Sequence, residues 1–391
     1  MTVELVVLLP ADQGTMVAGG AVSDEAVTLF LCGDVMLGRG VDQILPHPGD
    51  PTLRESYVRD ARGYVDLAVA VNGSIPRPVD PGWPWGDALH TLDEAAPDVR
   101  VVNLETSVTR SDDFAPGKTV HYRMNPANIA GLSAGRPDVC VLANNHVLDF
   151  GIQGLEETLG VLAGAGLRVA GAGRNSRQAW RPAVVTLSGG RRVLVLSFGL
   201  ASSGVPAWWA AGRDRPGVAF VPDLSEAWAG RIIDRVRQVK RPGDVVVASV
   251  HWGSNWGYDV SMDQIRFAHS LVDGGVDVVH GHSSHHPRPI EVYRGKLILY
   301  GCGDFIDDYE GISGQREYRH DLRLLYFVSV RPPTGELAAL RMIPMQARRM
   351  RLWHCSDRDA RWLRDMLDRI SRRAGVRVDL ERDGALVLRR R

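Results

Sequence analysis

Seven short runs of apolar and β-branched residues recur along this chain, and each ends in a group of polar or metal-binding side chains. The runs are residues 27–34, 99–105, 138–146, 192–199, 244–253, 276–285 and 296–304. Runs of this length and composition predict buried β-strands. Helical patterns separate several of them, at residues 154–165, 224–240 and 262–273. Strands and helices in alternation predict a layered α/β fold.

The polar groups at the ends of these strands predict one shared site, because ligands of open α/β sheets bind at the carboxyl ends of the strands. A lone histidine after a strand is usually a core residue, but five clusters in this register favour a site. Carboxylates, neutral imidazoles and amide oxygens are also the ligands that divalent metals require. The candidates are Asp34, Glu105, Asn145, His146, His251, His282 and His285.

The overall composition excludes several classes of partner. Lys+Arg and Asp+Glu both number 46, so neither nucleic acid nor an anionic membrane is an expected partner. The 4 cysteines form no Cys-x-x-Cys pair, which indicates a reducing compartment. Residues 1–20 lack the basic start of a secretory signal, and no run approaches the roughly 18 apolar residues of a spanning helix. We expect a cytoplasmic protein without a membrane partner, and the oligomeric state stays open.

Seven segments together resemble the CapA (poly-γ-glutamate capsule biosynthesis) family, a branch of the calcineurin-like metallophosphatase superfamily. The resemblance covers roughly residues 29–308. The segments are 33–39 (GDVMLGR), 103–106 (NLET), 144–151 (NNHVLDFG), 171–175 (GAGRN), 251–253 (HWG), 281–291 (GHSSHHPRPIE) and 300–305 (YGCGDF).

The resemblance implies a calcineurin-like αββα sandwich with two mixed β-sheets. We expect an N-terminal extension at residues 1–26, a metal-dependent catalytic domain at 27–320, and C-terminal strands and a helix at 321–391. The implied metal ligands are Asp34, Glu105, Asn145, His251 and His282. The implied catalytic histidine is His146, whose tautomer Asp149 would fix.

Departures from the superfamily pattern bear on the metal. Met36 stands where the histidine of Asp-x-His is usual, the closing Gly-His-x-His is stretched so that His285 comes one residue late, and Asp304 replaces the family's asparagine. A complete two-metal clamp is therefore not expected. An oxygen-richer, single-metal site favours calcium or manganese, with magnesium, iron and zinc left open.

Three functions are compatible with these residues. The preferred hypothesis, which comes from a branch of the family, is a peptide epimerase of lasso-peptide biosynthesis that inverts a Cα centre of a precursor peptide. The alternatives are phosphoester hydrolysis and a part in capsule poly-γ-glutamate assembly.

An epimerase needs one group to remove the Cα proton and a second group to return one from the opposite face. The predicted pairs are His146 with Asp149, and His285 or His286 with Asp304. Residues 113–122 and 201–217 are predicted to be substrate-facing loops. The predicted substrate contacts, suited to an aromatic C-terminal residue, are Arg39, Trp252, Trp256 and Tyr258.

Overall fold

The computed structural model describes residues 26–312 and 314–390. The expected N-terminal extension lies outside the described residues, apart from residue 26, and so do residues 1–20, where no secretory signal is expected.

Twenty-one strands and nine α-helices make up the described part of the chain. The strands are β1 (Val27–Val35), β2 (Val99–Leu104), β3 (Ser107–Val108), β4 (Arg123–Met124), β5 (Val139–Val141), β6 (Arg168–Ala170), β7 (Ala172–Gly173), β8 (Ala183–Thr186), β9 (Arg192–Leu200), β10 (Gly217–Val218), β11 (Phe220–Val221), β12 (Val245–His251), β13 (Val278–His282), β14 (Ile290–Tyr293), β15 (Lys296–Leu299), β16 (Asp304–Ile306), β17 (Leu322–Arg331), β18 (Glu336–Ala347), β19 (Leu352–His354), β20 (Val376–Leu380) and β21 (Leu386–Arg390). The helices are α1 (Gly40–Ile44), α2 (Arg62–Asn72), α3 (Ala88–Ala95), α4 (Ile129–Ser133), α5 (Gly151–Gly164), α6 (Ser176–Ala179), α7 (Glu226–Val239), α8 (Met262–Asp273) and α9 (Asp357–Ser371).

Ten of the strands form the first sheet, in the order β20-β21-β18-β17-β1-β2-β5-β6, with β16 paired to β1 and β19 to β18. The strands β1, β2, β5 and β6 run parallel, whereas β17, β18, β20 and β21 pair antiparallel. The strands beyond residue 321 therefore extend the same sheet as the predicted catalytic domain.

Seven strands form the second sheet, in the order β11-β9-β12-β13-β15-β14, with β8 paired to β9. Its central strands β9, β12, β13 and β15 are parallel, and β8 and β14 are antiparallel at its sides. Both sheets are mixed, as the resemblance implies.

The two sheets pack face to face, with helices outside. Leu29 and Leu31 of β1 share one apolar core with Val245 and Val247 of β12. Alternate residues of β1 point the other way, where Phe30 packs in a second core that contains residues of α2, α3 and α5. A third core joins β9 and β12 to α7 and α8. The predicted αββα sandwich is confirmed.

No helix in residues 26–312 and 314–390 is long and apolar enough to cross a bilayer.

Candidate active site

The period of two in the strands aims the candidate histidines into the layer between the sheets. In β12, Val245 and Val247 face the first sheet, so Ser249 and His251 face the same side. In β13 the same alternation places His280 and His282 on the face of the strand that Val278 occupies, toward the first sheet. His251 and His282 are opposed in the parallel register of the two strands. The site histidines therefore start on one sheet and point toward the other.

A close backbone approach brings the two carboxylates of the first sheet together. A Cβ atom at Gly33 would lie 1.6 Å from the carbonyl oxygen of Gly303, so only glycine fits there. This contact allows β16 to pair with the end of β1, where Asp34 stands opposite Asp304. Both side chains are buried.

One group of metal-binding atoms comes from both sheets. Asp34, His251 and His282 each offer a ligand atom, and these atoms lie within 4.8 Å of one another. The Nδ1 atoms of the two histidines are 2.7 Å apart, and Nε2 of His251 is 2.9 Å from Oδ1 of Asn145. Burial, followed by the neighbouring histidines, lowers the pKa of both imidazoles well below 6.5. Neutral imidazoles are the form that binds a metal.

A second group shares Asp34 with the first. It consists of Asp34, His285 and Asp304, again with ligand atoms within 4.8 Å of one another. The structure thus offers two overlapping donor groups where the sequence predicts a single-metal site, because Asp304 and the displaced His285 supply donors that the family's usual pattern places differently.

Unmatched carboxylate oxygens indicate that a cation fits here. Oδ2 of Asp34 and Oδ2 of Asp304 are buried, and no hydrogen-bond donor of the described residues reaches either atom. Burial and the adjacent Asp304 raise the pKa of Asp34 to about 7, and burial with Asp34 raises that of Glu105. Bringing these carboxylates together is costly without a compensating positive charge.

Glu105 lies between the histidines from the two sheets. Its Oε1 atom is 3.9 Å from Nε2 of His146 and 3.9 Å from Nε2 of His251. The amide of Asn103 donates to Oδ1 of Asp34 at 2.8 Å and to Oε2 of Glu105 at 3.0 Å, which fixes both carboxylates. The predicted ligands Asp34, Glu105, Asn145, His251 and His282 therefore lie together.

His146 belongs to a buried polar triplet. Its Nδ1 atom is 2.6 Å from Oδ2 of Asp149, as the predicted pairing requires. Lys118 donates from Nζ to Oδ1 of the same carboxylate and to the backbone oxygen of Asn145. Burial lowers the pKa of His146 to about 4, with Asp149 opposing the shift and Lys118 reinforcing it. His146 is thus neutral near pH 7 and available to accept a proton.

His285 forms the second His–carboxylate pair. Its Nδ1 atom is 2.8 Å from Oδ1 of Asp304, and its Nε2 atom is 3.0 Å from Nδ2 of Asn255. Burial alone would lower the pKa of His285, but the carboxylates of Asp304, Asp34 and Asp307 together outweigh burial, so the pKa is raised. The same two residues belong to the second donor group, so a cation and a proton would compete for them.

A cleft of about 480 Å³ opens onto these groups. Among the described residues that line it, Glu105 carries the one carboxylate, whereas Arg39 and Lys118 bring positive charges. Of the predicted residues, those on the wall are Arg39, Glu105, Asn145, His146, His251, Trp256 and His285. The predicted loop 113–122 also reaches the cleft, through its residues 117–120 and Tyr122.

Three of the predicted residues lie off the cleft wall and also take no part in the donor groups or the His–Asp pairs. Trp252 is buried in the core of the second sheet, where its indole N–H donates to the backbone oxygen of Tyr300 at 3.0 Å. Tyr258 packs with its ring against His286 rather than along the cleft. Nδ1 of His286 is 3.0 Å from the backbone oxygen of Pro287. Of the two histidines predicted to pair with Asp304, His285 forms the pair, because the ring of His286 packs against Tyr258 and does not contact Asp304.

Arg39 is held more tightly than a simple substrate contact requires. Its guanidinium forms buried ion pairs with Asp308 and Glu55. It also stacks on the ring of Tyr64, with the guanidinium carbon 3.6 Å from the ring centre. The predicted substrate contact of Arg39 stays a prediction, since its charge is already balanced by two carboxylates.

Several site residues are absent from the sequence-based set. They are Asn103, Lys118, Tyr122, Ser249, Asn255, His280 and Tyr309. Two of them carried a sequence signal: Asn103 precedes Glu105 by two positions, and His280 precedes His282 by two, so each shares a strand face with a predicted ligand. Lys118 lies in the loop 113–122 that was predicted to face the substrate, but no pattern singled out this residue, and Tyr309 carried no signal at all.

The sequence matches the family described as bacterial capsule synthesis protein PGA_cap over residues 28–309. A probable polyglutamine synthesis accessory protein of Mycobacterium tuberculosis is 56% identical over 363 residues, covering 93% of this chain and 96% of the relative. The PGA biosynthesis protein CapA of Bacillus subtilis is 28% identical, covering 73% of this chain and 64% of the relative. The crystal structure of TT1561 of Thermus thermophilus aligns with 80% of this chain and 97% of its own at 9% identity and a TM-score of 0.37, which is too distant to support an assignment.

The matched region contains both donor groups and both His–Asp pairs, so the match and the site geometry concern the same part of the molecule. The chain belongs to the bacterial capsule synthesis protein PGA_cap family.

Proposed function

We propose that the protein is a metal-dependent enzyme that acts on glutamyl chains in the synthesis of a polyglutamate. The observation that carries this proposal is the cleft, which opens onto a buried cluster of cation donors and has Glu105 as the one carboxylate among the described residues of its wall. The relative in Bacillus subtilis is a PGA biosynthesis protein, which supports the choice of polymer, whereas the relative in Mycobacterium tuberculosis is described as a polyglutamine synthesis accessory protein.

The charge distribution of the cleft suits a substrate that carries carboxylates. Of the histidines at the wall, His285 has a raised pKa, and Lys118, whose charge is paired with Asp149, reaches the cleft with its side chain 15% exposed. A glutamyl chain has a carboxylate in every unit, so a bound cation and the protonated His285 would bind it and orient it.

Some residues of the site would bind a cation, and others would transfer protons. Asp34, Glu105, Asn145, His251 and His282 would hold a divalent cation, which when bound would polarise a carbonyl oxygen of the substrate. His146 is neutral near pH 7, so its Nε2 atom can accept a proton while Asp149 orients the ring. His285 is charged to higher pH and can donate one.

The proposal is tested by incubating the calcium- or manganese-loaded protein with γ-linked glutamyl oligomers in ¹⁸O-labelled water. Mass spectrometry should show a changed chain length, with ¹⁸O at any hydrolysed end. Asp34→Asn should abolish the change, whereas Asp66→Asn, at an exposed position, should not. Unchanged glutamyl oligomers, with glutamine oligomers of the same length being processed, would contradict the proposal.

Peptide epimerisation is a second candidate, favoured by the presence of two separate His–Asp pairs at one cleft. The two pairs could remove and return a Cα proton from different sides. In deuterated water an epimerase adds one deuterium to the inverted residue, while chain length stays constant. Deuterium at Cα without chain cleavage would therefore favour epimerisation over action on the polymer backbone.

Phosphoester hydrolysis is favoured by a different observation, the two donor groups that share Asp34. Asp34, with the other members of the two groups, would hold two cations, which when bound would stabilise the charge on a phosphoryl group. Efficient turnover of an activated phosphodiester, with neither deuterium uptake nor glutamyl cleavage, would select this function.

A further inference from the structure

A basic groove lies at the end of the molecule opposite the active-site cleft. It has a volume of about 810 Å³ and runs past the start of β6, β8 and β9 and the end of α7. The parallel strands carry the active-site residues at their carboxyl ends, so the groove lies at their amino ends. Its basic side chains are Arg168, Arg181, Arg192, Lys240 and Arg241, and we call these five residues and the space between them the basic groove.

Two of the five basic residues are fixed in place by carboxylates beneath them. Arg192 donates from Nε to Oδ1 of the largely buried Asp244 at 3.0 Å. Lys240 donates to Oδ2 of the buried Asp277 at 2.7 Å. These ion pairs hold the base of the groove rigid, because both carboxylates are nearly inaccessible to water.

The other three basic residues are exposed and form no ion pair. None of the guanidinium groups of Arg168, Arg181 and Arg241 is ion-paired among the described residues, although the charge of Arg241 acts on the carboxylate of Asp244 from a greater distance. No aspartate or glutamate lines the groove in the described part of the chain. The whole chain has equal numbers of positive and negative residues, so this excess is a local feature.

The floor between these charges is apolar. It is formed by Leu167, Val169, Val184, Leu194 and Val239. An apolar floor with arginines at the sides suits a ligand that alternates methylene groups with carboxylates, because both parts are then matched.

We infer that the basic groove binds an acidic polypeptide, namely a chain of glutamyl units, outside the active site. The choice of polymer rests on the proposed function, whereas the existence of an anion-binding groove rests on the charges alone. A chain held there could extend along the protein to the cleft. The seven residues of β12 span about 23 Å, which roughly ten extended units would exceed. Such tethering raises the local concentration of chain ends at the cleft.

Fluorescence anisotropy with a labelled 20-unit glutamyl oligomer at low salt tests this inference. We expect the triple variant R168Q/R181Q/R241Q to bind the oligomer roughly tenfold more weakly than the unaltered protein does. The variant loses three exposed ion pairs with carboxylates of the oligomer. The matched control R358Q/R361Q/R382Q removes three exposed arginines elsewhere and should bind the oligomer as the unaltered protein does. Higher salt should weaken binding to the unaltered protein.

Equal binding by the two triple variants would overturn the inference, and so would tighter binding of a DNA oligonucleotide of equal charge. The variant His251→Asn separates this inference from the proposed function, because it alters the cleft and leaves the groove intact. Oligomer binding that survives in His251→Asn and falls in R168Q/R181Q/R241Q supports the groove even if no turnover of glutamyl chains is found.

Discussion

The two His–Asp pairs at the cleft are nearly identical in geometry and opposite in electrostatics. The Nδ1–carboxylate distance is 2.6 Å for His146 and 2.8 Å for His285. Yet the pKa falls to about 4 for His146 and is raised for His285. A hydrogen bond to a carboxylate therefore does not by itself set the protonation state of a histidine.

The difference comes from what surrounds each carboxylate. Asp149 is shared with the ammonium group of Lys118, so its negative charge is already balanced. Asp304 has one buried oxygen without a hydrogen-bond partner in the described residues, and Asp34 adds a further negative charge nearby. One pair is therefore prepared to accept a proton and the other to hold a proton or a cation.

Replacing Asp34 should have the largest effect, because both donor groups include it. Asp34→Asn should weaken calcium or manganese binding by more than the roughly 10- to 100-fold that a supporting residue contributes. Titration calorimetry measures this change, with Asp66→Asn as the control. The pKa of His285 should also fall while that of His146 stays constant. Equal shifts at both histidines would show that the pairs share one environment.

Replacing the histidines tests whether the two pairs work together. His146→Asn and His285→Asn should each lower turnover by about 10²- to 10⁴-fold, as expected for general acid–base groups. If the pairs act in one relay, the double variant should fall little below the weaker single variant. Multiplicative losses in steady-state assays would instead indicate that the two pairs act independently.

The pH dependence of stability in metal-free protein should separate the pairs. His146 has a folded pKa of about 4, below its unfolded value near 6.5, so its contribution is lost as pH falls from about 6.5 to 4. The free energy of unfolding should fall by on the order of 3 kcal/mol over this pH range. His285 has a raised folded pKa, so its contribution is full below about 6.5 and is lost as pH rises through the folded pKa.

Urea unfolding of metal-free protein between pH 4 and pH 9 measures both slopes. His146→Asn should flatten the acidic side of the profile, and His285→Asn should flatten the alkaline side. The comparison fails if either substitution flattens both sides.

The smallest effect is expected from two tryptophans at the second sheet. Trp252→Phe removes the hydrogen bond to the backbone oxygen of Tyr300 and should lower the free energy of unfolding by about 1–3 kcal/mol, without changing cation binding. Trp256→Phe, at the cleft wall, should change stability less and substrate affinity more. Thermal unfolding and oligomer binding measure the two effects. A loss of cation affinity in Trp252→Phe would show that Trp252 supports the active site and not only the core of the second sheet.

The layered α/β fold and the ligand cluster could be predicted from the sequence because both follow from strand patterns. Polar residues that close parallel strands meet at one edge, so Asp34, His251 and His282 could be placed together without coordinates. The position of Trp252 could also have been predicted. In β12, Val246, Ala248 and Val250 face the helices, and the next residue in that series is Trp252.

Other features had no local pattern to reveal them. Lys118 lies in a loop without repeating structure, and its contact with Asp149 depends on how that loop folds against residues 145–149. The second donor group depends on the approach of Gly33 to Gly303, a contact between distant segments. Tertiary packing decides such contacts, and sequence patterns of period two or 3.6 carry no information about them.

The hydrogen bond between Nε2 of His280 and the backbone oxygen of Cys32 has a kinetic consequence. It joins the two sheets at 2.8 Å across 248 residues of sequence. Contacts between such distant segments slow folding, because closing the long intervening chain costs conformational entropy. The active site is therefore complete only after both sheets have formed and docked. A cation that binds only the assembled site would slow unfolding more than it speeds folding.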